Sequence, residues 1–184
     1  MNSLDNIISS AQYNIIALKD IFTIKRGKII EKSRVKEKKD EIYKFPVYSA
    51  KTKGDGVFGY LDTFMESGSG ITLAINGLNA GKAFFRDGNF NYTNVCCFLK
   101  TKVDFELNSS FIYIINKEIR NYLDKTAIKS LSINIINSVK IPVLDDKNSL
   151  LFEETLQNYD KYIKAEENKL EEISRNFKTL INKN

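Results

Sequence analysis

Apolar residues recur at alternating steps of three and four in the C-terminal part of the chain, where no glycine or proline follows Asn148. The positions are Leu156, Tyr159, Ile163, Glu166, Leu170, Ile173, Phe177 and Leu180, with Glu166 as the polar member. This is the heptad spacing of a coiled coil, and glutamate and lysine fill the outer positions. Because an isolated helix cannot bury such a stripe, the pattern predicts a long helix that pairs with another helix. Docking of a terminal helix on its own domain is the alternative.

The preceding part of the chain alternates between short apolar runs and turns rich in glycine and asparagine, which is typical of a β-rich body. Extended segments are predicted at 71–75, 83–86, 95–99 and 130–143, and an Asn-Gly turn joins the first two as a hairpin. Ser109 or Ser110 is suited to cap a helix over 111–123. The predicted fold class is therefore α+β, with a β-rich globular domain over 1–145 and a long coiled-coil helix over 146–184.

Composition excludes several kinds of enzyme. The chain has no histidine, which removes histidine-dependent catalysis and histidine-containing zinc sites. Its two prolines are not adjacent, so it lacks the Asn/Asp-Pro-Pro-aromatic tetrad of amino methyltransferases. The adjacent Cys96 and Cys97 are poorly placed for a disulfide with each other and have no second pair for zinc. We predict no catalytic residue, no metal site and no cofactor.

Charge is the next informative feature. The chain carries a net charge of +5, and residues 19–53 hold 12 basic and 5 acidic side chains. Such a run indicates either a solvated loop or a surface that follows nucleic-acid phosphates. The candidates for phosphate contact are Lys25, Arg26, Lys28, Lys51 and Lys53. The candidates for base or groove contact are Ser49, Thr52, Asn76, Asn79 and Lys82, because hydroxyls, amides and amines suit base edges.

Several stretches of the chain are also similar to a known family. They are LKDIF and KRG from Leu18, FPVYS from Phe45, GVFGY from Gly56, the hairpin from Ile71 to Arg86, and the segment from Ser130 to Val143. In this order they resemble the target recognition domain in specificity subunits of type I restriction–modification systems. The resemblance covers roughly residues 17–184.

The resemblance implies a non-catalytic subunit that reads double-stranded DNA for a DNA adenine methyltransferase subunit, and for a restriction subunit where one is present. Full-length members of the family have two recognition domains and two antiparallel helices, whereas this sequence has one domain and one long helix. We therefore expect a homodimer that reads a bipartite, palindromic site. Its helix contacts would be Leu156, Tyr159, Ile163, Leu170, Ile173 and Phe177.

Two alternatives stay open at this point. One is a coiled-coil adaptor that binds a partner protein and does not read DNA, and the other is a stand-alone, metal-dependent nuclease. The sequence contains no apolar run of the length that spans a membrane and no signal peptide at its start. We therefore expect a cytoplasmic protein that does not contact a membrane.

Overall fold

The structure is a computed structural model that describes residues 3–11, 13–51, 56–102, 107–123 and 130–181, with side chains through residue 175. The chain divides into two compact units. The first, called here the helical unit, consists of Met1–Tyr13 and Leu144–Asn184. The second, the sheet unit, is Asn14–Val143. Residues 3–11 thus group with the long helix.

The described residues form five α-helices and ten strands. The helices are α1 (Ser3–Ser10), α2 (Leu18–Ile21), α3 (Ser109–Leu123), α4 (Ile133–Ser138) and α5 (Asp146–Ile181). The strands are β1 (Tyr13–Ala17), β2 (Phe22–Arg26), β3 (Phe45–Tyr48), β4 (Val57–Leu61), β5 (Glu66–Ser67), β6 (Gly70–Ala74), β7 (Ala83–Arg86), β8 (Asn89–Tyr92), β9 (Cys96–Thr101) and β10 (Lys140–Leu144). This arrangement confirms the predicted fold class, a β-rich domain followed by a long helix.

Two four-stranded sheets make up most of the sheet unit. Sheet A has the order β2-β9-β6-β7 and is antiparallel throughout. Sheet B has the order β4-β3-β8-β5, in which β3 and β8 run parallel. A third, two-stranded sheet joins β1 and β10. The predicted hairpin is confirmed, because β6 and β7 pair from Gly70↔Arg86 to Leu73↔Ala83.

Aromatic side chains fill the space between sheets A and B. The ring of Phe90 on β8 lies 5.2 Å from that of Phe98 on β9 and 5.8 Å from that of Tyr48 on β3. Both faces of β9 are covered, since Cys96, Cys97 and the two residues that follow are all buried. The cysteines are strand residues as expected, but neither of them faces solvent.

Helix α3 packs near sheet A and confirms the helix predicted at 111–123. Its cap differs from the prediction: the Asn108 side chain accepts a hydrogen bond from the Phe111 backbone N–H at 3.0 Å, whereas Ser109 and Ser110 lie inside the helix. The Asn116 side chain holds the edge strand β7 by bonding both the N–H and the carbonyl of Ala83.

The prediction of extended structure over residues 130–143 is partly wrong. Residues 133–138 form α4, and only β10 is a strand. The Ser132 hydroxyl caps α4 by accepting from the Ile135 backbone N–H at 3.2 Å. Repeated isoleucines give this segment a β-like composition, yet the cap and the burial of Ile136 stabilise a helical turn.

The helical unit pairs the short α1 with the first part of α5. Leu4 and Ile8, one helical turn apart, are buried, and the hydroxyls of Ser3 and Tyr159 lie 2.8 Å apart. Asp145 caps the start of α5, because its carboxylate accepts from the Asn148 backbone N–H at 2.8 Å, and this bond lowers the pKa of the carboxyl. Within the described residues, no helix has the length and apolar character to cross a membrane.

Candidate nucleic-acid interface

The strand register brings the described candidate DNA-binding residues to one end of sheet A. At that end β2 stops at Arg26, which is opposite Cys97, and β6 stops at Ala74, which is opposite Cys96. The chain segments that leave or enter the strands there are 25–30, 75–82 and 93–95. With residues 49–51 they form what we call the loop end. Candidate residues that are far apart in the sequence therefore share one region.

Backbone contacts fix the 93–95 turn against the segment after β2. Gly27 donates its N–H to the Cys96 carbonyl at 3.0 Å, and Lys28 forms a β-bridge with Thr93. A Cβ at Gly27 would lie 2.3 Å from the Thr93 carbonyl oxygen, so only glycine permits this approach. The same close packing holds the neighbouring Lys25, Arg26 and Lys28 in place.

Sheet B supplies the fourth segment, residues 49–51. The Thr93 backbone N–H donates to the Tyr48 carbonyl at 2.9 Å, and the Thr93 hydroxyl donates to the Ser49 hydroxyl at 3.1 Å. The Asn79 amide donates to the Ala50 carbonyl at 2.6 Å. These bonds join the end of β3 to both of the other turns, so the loop end is one connected structure.

The loop end is strongly basic. Lys25, Arg26, Lys28, Lys51 and Lys82 are all exposed there, and the four segments contain no aspartate or glutamate. Arg26 is oriented by a hydrogen bond from its Nε to the Asn94 carbonyl at 2.9 Å. Clustered exposed cations attract polyanions by releasing counterions.

The polar candidates at the loop end take part in its internal bonding. Asn76 accepts a hydrogen bond from the Ser130 hydroxyl at 2.8 Å, and Ser49 and Asn79 make the bonds given above. Lys82, by contrast, projects from the start of β7 with its side chain exposed. Base contact by these residues stays a prediction. Thr52 and Lys53 lie outside the described residues.

Arg86 is a residue that sequence analysis missed. Its side chain is buried, its Nε donates to the Thr72 hydroxyl at 2.9 Å, and its guanidinium lies 3.6 Å from the centre of the Tyr48 ring. It therefore connects β7 of sheet A with β3 of sheet B just behind residues 49–51. No local sequence signal could reveal this role, because Tyr48 is distant along the chain.

The helical unit carries an exposed apolar stripe on α5. Tyr159, Ile163, Leu170 and Ile173 are between 40% and 65% exposed, whereas Leu156 is half-buried. Glu166 lies in the middle of the stripe and pairs with Lys169 at 2.7 Å. The side chain of Phe177 lies outside the described part of α5. An exposed stripe of this kind is what the heptad pattern predicted for an unpaired helix.

Neither metal binding nor reactive thiols stand out in the described residues. They contain no group of three or more His, Cys, Asp or Glu side chains that could hold a metal ion. Burial raises the pKa of the Cys96 thiol to about 12, and it also raises the pKa of the Cys97 thiol. A protonated, buried thiol is a poor nucleophile.

Comparison with known proteins decides the family. A family model described as type I restriction modification DNA specificity domain matches residues 11–175. The chain belongs to this family. Such specificity components are the non-catalytic parts of restriction–modification complexes. The resemblance stated from the sequence is therefore confirmed, and so is the expectation that the chain is not an enzyme.

Relatives of this specificity domain occur in Mycoplasma pneumoniae. A protein named there as the N-terminus of a type I specificity subunit is 40% identical over 93 residues, which are 50% of this chain and 48% of that protein. The type I restriction enzyme MpnII specificity subunit is 38% identical over 90 residues, which are 49% of this chain and 26% of that subunit. The chain thus spans half or less of the length of these relatives.

Solved structures share the fold. The S subunit of a type I restriction–modification system from M. genitalium superposes with a TM-score of 0.57 at 19% identity, over 88% of this chain and 44% of that one. The HsdS subunit from Thermoanaerobacter tengcongensis gives a TM-score of 0.62 at 11% identity, over 88% and 43%. The chain therefore shares the fold of these solved specificity subunits.

Proposed function

We propose that this specificity domain reads a DNA sequence through its loop end and directs an adenine methyltransferase subunit to that site. The observation that carries the proposal is the collection of five exposed cations, with no carboxylate in the same segments, at one end of sheet A. Cations there would hold the phosphates and fix the register, and the turns between them would present polar groups to base edges. Residues 1–145 would thus recognise DNA, with Thr52 and Lys53 extending the contact made by 49–51.

A salt titration tests this assignment. Replacing Lys25 and Arg26 together by alanine should weaken binding to every duplex. It should also make the negative slope of log affinity against log salt shallower by about 2. The matched control replaces Lys19 and Lys100, two exposed cations near the other end of β2 and β9, and should leave the slope unchanged. Equal slopes for all three proteins would remove the loop end from the DNA interface.

The second part of the proposal is a homodimer through α5. The helix has 36 residues, which corresponds to about 54 Å at 1.5 Å per residue. One turn of duplex DNA measures about 34–36 Å. An antiparallel pair of such helices is therefore long enough to separate two recognition domains by at least one turn. A two-fold axis of this kind would make the recognised site bipartite and palindromic.

The outer faces of the paired helices would remain available to the methyltransferase subunit, and to a restriction subunit where one is present. Co-purification with an adenine methyltransferase, followed by methylation at one interrupted sequence, tests this assembly. We place the complex in the cytoplasm.

An adaptor that binds a partner by its helix but does not read DNA is the competing function, and the exposed stripe on α5 is the observation that favours it. The two functions differ in one measurement. The adaptor predicts no salt-dependent duplex binding even when the partner is present, whereas the specificity domain predicts binding whose affinity falls steeply with salt.

A further inference from the structure

The loop between β6 and β7 presents one apolar side chain entirely to solvent. Leu78 lies at the tip of this loop and is fully exposed, with 101% of the reference accessible area. A single exposed leucine on a mobile loop needs no explanation. Leu78 differs because the backbone that carries it is held by many bonds, and because it projects from the basic loop end.

Hydrogen bonds fix the loop at its base and near its tip. At the base, Gly81 donates to the Ala74 carbonyl at 2.8 Å and Ile75 donates to the Val95 carbonyl at 2.9 Å. Near the tip, Ala80 donates to the Gly77 carbonyl at 3.0 Å. The Asn79 amide, next to Leu78, is bonded to Ala50 as described above.

Packing adds a second restraint. A Cβ at Gly81 would lie 2.7 Å from the Leu123 side chain on α3, and Gly81 has a φ of +88°, which suits glycine. The loop therefore rests closely on α3. Its tip is preorganised, and little entropy would be lost when it binds.

The width of the hairpin that carries this tip selects a groove. Its two paired strands, β6 and β7, lie about 4.8 Å apart, and with side chains they are too wide for a minor groove of about 6 Å. The major groove, about 12 Å wide, admits a two-stranded ribbon. The apolar group offered there by DNA is the 5-methyl group of thymine.

We infer that Leu78 packs against a thymine methyl group in the major groove and makes that base pair part of the recognised sequence. This inference rests on the proposed function, because it assumes that the loop end faces DNA. Lys82, exposed at the base of the same loop, would then hold a neighbouring phosphate. Leu78 is thus assigned a part in specificity that the sequence analysis did not consider.

The experiment removes the methyl group and not the base pair. The full chain, with its methyltransferase subunit, first selects its preferred site from a random duplex library. Each thymine of that site is then replaced in turn by deoxyuridine, which pairs identically but lacks the 5-methyl group. The unsubstituted protein should bind about fourfold more weakly at one thymine position, the effect of losing one buried methyl group. The Leu78→Ala protein should show no loss at that position.

Two controls separate the possible failures. Ile42→Ala, which changes an exposed apolar residue outside the loop end, should keep the fourfold discrimination. Thermal unfolding of Leu78→Ala should match that of the unsubstituted protein, because the side chain makes no buried contact. If the unsubstituted complex selects no sequence, the proposed function itself fails and the assignment of Leu78 fails with it.

If a sequence is selected but Leu78→Ala keeps the same preference for thymine over deoxyuridine, only the assignment of Leu78 is wrong. A site without thymine would have the same consequence. Fluorescence of 2-aminopurine placed in the site gives a further check. An increase that depends on Leu78 would indicate insertion between base pairs and would overturn the groove contact.

Discussion

The central strands of the sheet unit and the second half of α5 in the helical unit bury their apolar residues to very different extents. In the sheet unit, Ile71, Leu73 and Phe98 are at most 1% exposed, and the cations of the loop end lie at the surface. In the helical unit, Ile163 and Leu170 are 52% and 65% exposed along an otherwise charged helix. The core of the sheet unit is buried by residues of the same chain. The helical unit retains an exposed apolar stripe, which we propose is buried by a partner helix.

This difference separates two kinds of stability. Removing a buried side chain from the sheet unit should cost free energy of unfolding at any protein concentration. Removing an exposed apolar side chain from α5 should weaken the association of two chains. Its effect on stability should therefore depend on protein concentration. Paired substitutions of one residue type in the two units can test this distinction.

The largest expected effect comes from Ile71→Ala in the sheet unit. Ile71 is fully buried in the central strand β6, and the substitution should lower the free energy of unfolding by about 3 kcal/mol, within the usual range for a core isoleucine. Urea unfolding followed by tyrosine fluorescence measures it, since the chain has no tryptophan and 9 tyrosines.

Ile163→Ala is the matched control. It removes the same atoms from a half-exposed position and should shift the urea midpoint of the sheet unit only slightly, corresponding to a change in the free energy of unfolding of less than about 0.5 kcal/mol. If both substitutions shifted that midpoint equally, the stripe on α5 would belong to a core and the contrast between the units would be lost.

The next largest effect concerns association. Replacing Ile163 and Ile173 together by glutamate places charge at two positions of the stripe, and should raise the dimer dissociation constant at least 100-fold. That change corresponds to about 2.7 kcal/mol. Sedimentation over a concentration series measures the constant.

Asn168→Glu is the corresponding control, because Asn168 is exposed on the outer face of α5, away from the stripe. It should leave the dissociation constant nearly unchanged. A protein that stays monomeric at all concentrations before any substitution would contradict the proposed homodimer directly.

Much of this architecture follows from local pattern. The period of α5, the β6–β7 hairpin and the apolar face of α3 are each set by residues close together in the sequence, so the sequence predicts them. Helix α4 was mistaken for extended structure because its isoleucines favour strands, while a single serine cap and burial stabilise the helix. Leu4 and Ile8 carried the signal for α1, but one turn of spacing is too short to reveal its partner helix.

The candidate interface was predictable only in part. The residue types were recognisable, but their convergence depends on the register of β2, β6 and β9, which joins residues far apart in sequence. Arg86 was missed for the same reason, because its burial depends on contact with Tyr48, which is distant along the chain. Leu78 gave no signal at all, because an apolar residue in a loop has meaning only when its exposure and the rigidity of the loop are known.

The last comparison uses the two thiols of the sheet unit. Because burial raises the pKa of Cys96 to about 12 from its ordinary 9.0, folding favours the protonated thiol. Its contribution to stability is complete below pH 9 and is lost as the pH rises toward 12. At pH 8 both cysteines should react with a thiol reagent only as fast as the sheet unit opens.

A cysteine introduced on α5 gives the contrasting case. Ala165→Cys adds a thiol at an exposed position of the helix, and the protein should then show one rapidly reacting thiol per chain and two slow ones. Replacing Cys96 by alanine should flatten the loss of stability between pH 9 and pH 12. Rapid reaction of all three thiols would mean that β9 is accessible to solvent. That result would contradict the difference in burial between the sheet unit and the helical unit.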